Sequence, residues 1–187
     1  MRPDSDMQND ITAADVANTL AERLPRLYAV LDAARWGARE WLRRAGLPHQ
    51  CLFDGQKAIE LADEAPYLVH LGGERRWLEQ LCAETWGQAG GIYLVSDRPF
   101  YDVRRLLRRF LLVEDLNGDV VYFRYYDPRV AAPFLPTLDS AQIATVYGQV
   151  VDAYIYEDEE TGSLDEARVS PADTIAVTSL LAPPRGR

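Results

Sequence analysis

Three aspartates follow short apolar runs of strand length: Asp32 after Leu27–Leu31, Asp54 after Cys51–Phe53, and Asp127 after Val120–Tyr126. In an open α/β sheet, ligand sites gather beyond the carboxyl ends of the strands. Three converging carboxylates there would hold Mg²⁺ for phosphoryl or hydrolytic chemistry. A metal-dependent hydrolase using Asp32, Asp54 and Asp127 is therefore one reading of the chain. The commoner role of Asp at such places is to cap a helix or turn by accepting backbone N–H bonds. Asp32 precedes a helix and Asp54 precedes Gly55, which suits capping. The other catalytic material is sparse. His49 and His70 lie 21 positions apart and no third group marks a dyad around either. Cys51 and Cys82 sit in apolar settings and read as small core residues. Gly72-Gly73 and Gly90-Gly91 fit neither dinucleotide nor phosphate-loop spacing. No cofactor and no metal are expected.

Arginine and tyrosine carry more information. From Pro99 to Phe110, Val103, Leu106, Leu107 and Phe110 recur at helical spacing, and Arg104, Arg105, Arg108 and Arg109 fall opposite them. That predicts a surface helix with a basic outer stripe, a solvated face first and a partner-binding site second. In the strand expected over Val120–Tyr126, Tyr122, Arg124 and Tyr126 share one face with Val120. In the strand expected over Val151–Glu157, Tyr154 and Tyr156 share a face with Asp152. Tyr and Arg anchor protein interfaces, so these residues and the arginine stripe are the candidate partner-binding set. The competing reading has helices covering this face, with the tyrosines in the core.

The elements that must position these groups follow from punctuation and period. Thr12 and Asp15 form a capping box for a helix over about 13–24. Strands are expected at 27–32, 51–53, 67–71 and 91–95, alternating with helices at 33–45, 56–64, 74–86 and 99–110. Asn117-Gly118 joins 111–116 to 120–126 as a hairpin. A proline-rich loop follows, then a helix at 139–147 capped by Asp139 or Ser140, then the strand at 151–157. Alternating strands and helices predict an α/β fold. The expectation is a single lobe with a mixed, partly parallel sheet flanked by helices, and an antiparallel hairpin toward the C-terminal part. Residues 1–11 are expected to be disordered, 12–157 to form the domain, and 158–187 to be an acidic flexible tail.

Composition narrows the class. The chain has 187 residues, 20 basic and 29 acidic, for a net charge of −9. Residues 151–187 hold eight acids against three arginines, so over half of the excess lies there. An acidic chain lacks the basic footprint that unaided nucleic-acid binding requires. The apolar runs are far shorter than the ~18 residues of a membrane span, and the acidic start is not a secretory signal. Two cysteines suit a reducing cytoplasm better than a disulfide framework.

Several segments taken in order carry a family resemblance. They are Leu27-Tyr28-Ala29-Val30-Leu31-Asp32-Ala33-Ala34-Arg35, Cys51-Leu52-Phe53-Asp54-Gly55, Ala65-Pro66-Tyr67-Leu68-Val69, Thr85-Trp86-Gly87, Leu106-Leu107-Arg108-Arg109-Phe110-Leu111 and Phe123-Arg124-Tyr125-Tyr126-Asp127-Pro128-Arg129-Val130. The ordered set resembles the adaptor-chaperone domain of bacterial type VI secretion, the Tap or TEC family, over about residues 26–157. The resemblance implies a non-enzymatic protein of the cytoplasm. It would bind a cognate toxic effector and help load it onto the VgrG or PAAR spike. Asp32, Phe53, Asp54, Gly55, Pro66, Trp86, Asp127, Pro128 and Arg129 belong to the family pattern, and the resemblance gives none of them a catalytic role. A second Trp-Gly expected after Trp86-Gly87 is replaced by Ala89-Gly90. Longer members carry a further C-terminal lobe for which the residues after 157 are too few.

Overall fold

Thr12 and Asp15 open the first helix as their spacing predicts. The Thr12 side chain accepts from the Asp15 N–H, and the Asp15 carboxylate accepts from the Thr12 N–H at 3.0 Å. In the computed structural model, which describes residues 10–114 and 117–184, the element order is as follows. Helix α1 (Ala13–Ala21) leads to β1 (Leu27–Asp32), α2 (Ala38–Ala45), β2 (His49–Cys51), α3 (Gly55–Glu60) and β3 (Pro66–His70). Then come α4 (Arg75–Thr85), β4 (Gly91–Val95), α5 (Phe100–Leu107) with a 3-10 turn, β5 (Leu112–Glu114) and β6 (Val120–Tyr122). The chain continues with α6 (Pro128–Phe134), a second 3-10 turn, α7 (Ser140–Val146), β7 (Ala153–Asp158), β8 (Ser163–Val169) and β9 (Ile175–Leu181).

Seven strands form one sheet in the order β2-β3-β1-β4-β7-β8-β9, and β5 and β6 make a separate two-stranded sheet. Every pairing in the large sheet is antiparallel. This corrects the expectation of a mixed, partly parallel sheet. The alternation of strand and helix along the chain suggests that some neighbouring strands run parallel. Here α2 joins β1 to β2 and α4 joins β3 to β4, each pair running in one direction but separated by a strand that runs the other way. β1 therefore runs antiparallel to both β3 and β4, pairing Val30 with Leu68 on one side and Ile92 on the other.

The sheet is covered on both faces, so β1 is buried at all six positions. Leu27, Ala29 and Leu31 face a core built with Val16 and Leu20 of α1, Trp41 and Leu42 of α2, and Leu78 and Leu81 of α4. Tyr28 and Val30 alternate to the other face, against Val103, Leu106 and Leu107 of α5, Ala131 of α6, and Ile143 and Val146 of α7. Gly91 lets β4 approach β1. Its φ is 154°, and a Cβ there would lie 2.2 Å from the Val30 carbonyl oxygen. Gly46, at φ 64°, ends α2 in the left-handed conformation that glycine adopts without steric cost.

Two further expectations are corrected. The stretch 158–187, read as a flexible tail, supplies β8 and β9 of the main sheet. The acidic run hid a strand in which Leu164 is fully buried in one core and Ala167 in the other. Glu166, also buried, is neutralised by Arg23 and Arg168 at 3.3 and 2.6 Å. The proline-rich loop after Asp127 contains α6, begun by Asp127 as N-cap and Pro128 in the first turn. Of the N-terminal stretch 1–11, residues 1–9 lie outside the described residues.

Candidate functional site

The three aspartates do not converge. Asp32 ends β1 fully buried, accepting from the Ala34 N–H at 3.1 Å and from the Arg124 guanidinium. Asp127 caps α6 through the Arg129 N–H at 3.1 Å and holds the Arg129 guanidinium in a bidentate pair at 2.9 and 2.6 Å. Arg124 also reaches Asp127 at 4.0 Å, so Asp32, Arg124, Asp127 and Arg129 form a chain of alternating charge. This chain ties the end of β1 to the start of α6. Asp54 belongs elsewhere, paired with Arg104 at 2.5 Å and with Arg108. Among the described residues no group of three or more His, Cys, Asp or Glu could hold a metal ion. The metal-hydrolase reading therefore loses its premise.

Charge partners set the protonation of this network. Burial raises the Asp127 carboxyl, yet the hydrogen bonds from Arg129 outweigh it, and the net pKa is lowered from 3.8. The Arg104 hydrogen bond holds Asp54 below 3.8 as well. For Arg124 burial disfavours the charge, but the Asp32 hydrogen bond prevails and its pKa is raised. The cysteines go the other way. Burial lifts Cys82 to about 11 and raises Cys51, the opposite of nucleophile activation. His70 stacks on Tyr28 at 4.3 Å with its Nε2 on the Pro25 carbonyl, and His49 Nδ1 lies on the Leu47 carbonyl.

The candidate partner-binding residues separate by burial. Tyr154 and Tyr156 are 1% and 2% exposed, under α6 and α7, with the Tyr154 hydroxyl donating to the Val146 carbonyl at 2.8 Å. Tyr126 is also buried, which pushes its phenol up to about 12. These three tyrosines are core, as the competing reading had it. The arginine stripe is not uniform either. Arg104 is buried and donates to the Cys51 carbonyl from Nε and Nη2 at 3.0 and 2.9 Å, fastening α5 to the end of β2. Arg108 is turned onto Asp54, Arg105 pairs with Asp102 at 3.1 Å, and Arg109 is exposed. The family-pattern residues serve the fold. Pro66 opens β3, Gly55 follows Asp54 at φ 57°, and Trp86 Nε1 donates to the Ile11 carbonyl at 3.0 Å. Phe53 packs on Tyr122 at 5.3 Å between ring centres.

Besides Arg105 and Arg109, the part of the candidate partner-binding set that stays outward is on the β5–β6 hairpin. Leu112, Val120, Val121 and Tyr122 are 40 to 70% exposed, an apolar group on a two-stranded ribbon outside the main sheet. Such a ribbon is marginal alone and is braced at its base. Phe123 packs edge-on to Phe134 at 4.7 Å, and its N–H donates to the Leu111 carbonyl at 2.9 Å. Beside it Phe110, Val113, Phe123 and Phe134 line an open apolar cleft of about 410 Å³ whose other wall is α7. Lys57 lies 4.7 Å over the Tyr122 ring. Sequence reasoning placed the hairpin and Tyr122 but singled out neither Val120, Val121 nor the phenylalanine cleft. The signal available was the run Val120-Val121-Tyr122 flanking Asn117-Gly118 with apolar residues on both strand faces.

The arrangement offers an apolar ribbon, with Lys57 over its Tyr122, beside an apolar cleft, a surface of the kind that contacts other proteins. A family model described as "Domain of unknown function (DUF4123)" matches residues 27–145, from the first residue of β1 into α7. No curated protein and no solved structure matches the chain.

Proposed function

This chain belongs to the DUF4123 family, and from that membership we propose that it is a non-enzymatic adaptor of a bacterial type VI secretion system. It binds a cognate effector in the cytoplasm and promotes its loading onto the VgrG or PAAR spike. The ordered motifs from Leu27 to Val130 support the reading on the sequence side. On the structural side one observation carries it: the exposed apolar ribbon of Leu112, Val120, Val121 and Tyr122 beside the phenylalanine cleft. Contiguous exposed apolar surface of this kind marks a place where another protein binds.

The chemistry of the surface describes the client segment. Apolar side chains fill the cleft of Phe110, Val113, Phe123 and Phe134 and lie along the ribbon. An acidic neighbour meets Lys57, which lies over the Tyr122 ring of the ribbon. The spike is the second partner.

Co-expression with the effector and spike genes encoded nearby tests this. The effector co-purifies with the wild-type chain, and Val121→Asp or Tyr122→Ala weakens that complex by about 2 kcal/mol, roughly thirtyfold in Kd. Failure of both effector and spike to bind, with normal effector delivery in a deletion strain, overturns the reading.

A further inference from the structure

β9 is one end of the large sheet, and its chemistry is unusual for an edge. Its seven residues, Ile175 to Leu181, include no charged residue and no proline. Ala176, Val177, Thr178 and Ser179 are all exposed. Natural edge strands are blunted by charge, proline, bulges or shortness, because an open ladder templates pairing with another chain. The opposite edge of this sheet is blunted: β2 has three residues, Pro48 precedes it, and His49 and Gln50 are exposed polar groups.

The register shows which backbone groups β9 presents. The Ser170 N–H donates to the Thr174 carbonyl at 2.8 Å, and the ladder pairs Arg168 with Ala176 and Glu166 with Thr178. Alternation along an antiparallel ladder therefore turns the N–H and C=O groups of Ala176 and Thr178 toward β8. Those of Ile175, Val177 and Ser179 turn outward. Among the described residues no strand pairs with that outer side. Residues 182–184 leave it, with Pro183 lying against Gly162 at the β7–β8 turn.

We propose that the β9 edge pairs antiparallel with the β9 edge of a second copy of this chain, about a two-fold axis at Thr178. In that register Val177 of each copy faces Ser179 of the other, and Thr178 faces its counterpart. Cross-strand Thr–Thr pairs are favourable, and like charges directly opposite are not. The β9 strand satisfies both conditions against itself. A chain of net charge −9 approaches its copy most easily through a charge-free element. Head-to-tail pairing of β9 with β2 would join seven residues to three beside a proline, so assembly closes at two copies. β9 lies outside residues 27–145, so the dimer belongs to this chain's own C-terminal strands and not to the matched family segment. One ladder buries less than the roughly 1,000 Å² of a stable interface. The dimer is therefore weak, depends on concentration, and strengthens as salt screens the repulsion between the two acidic copies.

Sedimentation equilibrium of the full chain from about 10 to about 500 µM, at low and high salt, tests this. The apparent mass rises from 21.1 kDa toward twice that value, and rises further at high salt. Thr178→Lys and Val177→Lys hold the mass at the monomer value with an unchanged circular dichroism spectrum, whereas Thr178→Val keeps the dimer. Amide exchange at Val177 and Ser179 slows with concentration in the wild type. A wild-type monomer at the highest concentration, a dimer indifferent to both lysines, or amide protection that appears only with a client protein would each overturn the proposal. None of these outcomes bears on whether the β5–β6 ribbon binds an effector.

Discussion

Arg124 is half exposed, but its guanidinium points inward onto Asp32, which has no exposure to solvent. Removing such a partner leaves a buried carboxylate with the Ala34 N–H as its remaining donor. Leaving a buried charge short of partners is costly. Discounted for the exposure of Arg124, the loss is about 2 kcal/mol. Arg124→Ala should therefore lower the urea midpoint, while Tyr122→Ala should leave it within about 0.5 kcal/mol of wild type and weaken client binding instead. The pair separates a fold residue from a contact residue that sequence reasoning had grouped together. Asp127 gives a pH prediction. Its folded pKa lies below 3.8, the value taken as its unfolded one, so the native state binds fewer protons than the unfolded state through that window. Its contribution is present above pH 4 and is lost as pH falls through the folded pKa. Urea midpoints measured downward from pH 5 should fall steeply for the wild type and less steeply for Asp127→Asn, which has no charge to lose.

At the scale of elements, the close approach of β4 to β1 depends on Gly91. A methyl group there meets the Val30 carbonyl and φ 154° is strained for any other residue. Gly91→Ala should cost about 3 kcal/mol or more, read as a fall in thermal midpoint. The start of α6 depends on Asp127, and Asp127→Ala should cost about 1 kcal/mol for the cap, plus the loss of the Arg129 pair. Most element starts were legible. The Thr12–Asp15 box and Asp139 before α7 each act through local hydrogen bonds that a short stretch of sequence encodes, and Asn117-Gly118 lies between the paired strands β5 and β6. Strand direction was not legible. Periodicity shows which residues of β1 face which layer, but nothing in Leu27–Asp32 encodes whether Pro66–His70 returns parallel or antiparallel. α6 was masked by three prolines, although Pro128 occupies a first-turn position where a missing N–H costs nothing. β8 was masked by its charges, because Glu166 is compensated by Arg23, 143 positions away.

Across the whole molecule the division of labour is spatial. The covered sheet and its two cores hold Tyr126, Tyr154, Tyr156 and Arg104 inside, and the paired aspartates brace the ends of elements. Of the large apolar residues left exposed, Leu112, Val120, Val121 and Tyr122 sit together on a ribbon that the main sheet does not include, while Ile59, Tyr101, Val169 and Val177 lie apart from it. The tyrosines of β7 were misplaced by sequence reasoning because alternation assigns a face but not what lies over it. Only the packing of α6 and α7, the two helices that precede β7 in the chain, decides that. Apolar residues on both faces of a hairpin leave one side uncovered wherever it docks, but of this ribbon sequence reasoning singled out Tyr122 alone. The role of the ribbon is the central claim, and amide hydrogen exchange of the chain with and without its co-expressed effector tests that role most directly. The account predicts that exchange slows across Leu112–Glu114 and Val120–Tyr122 in the complex. Protection confined to other surfaces, with the ribbon exchanging as in the free chain, would contradict it.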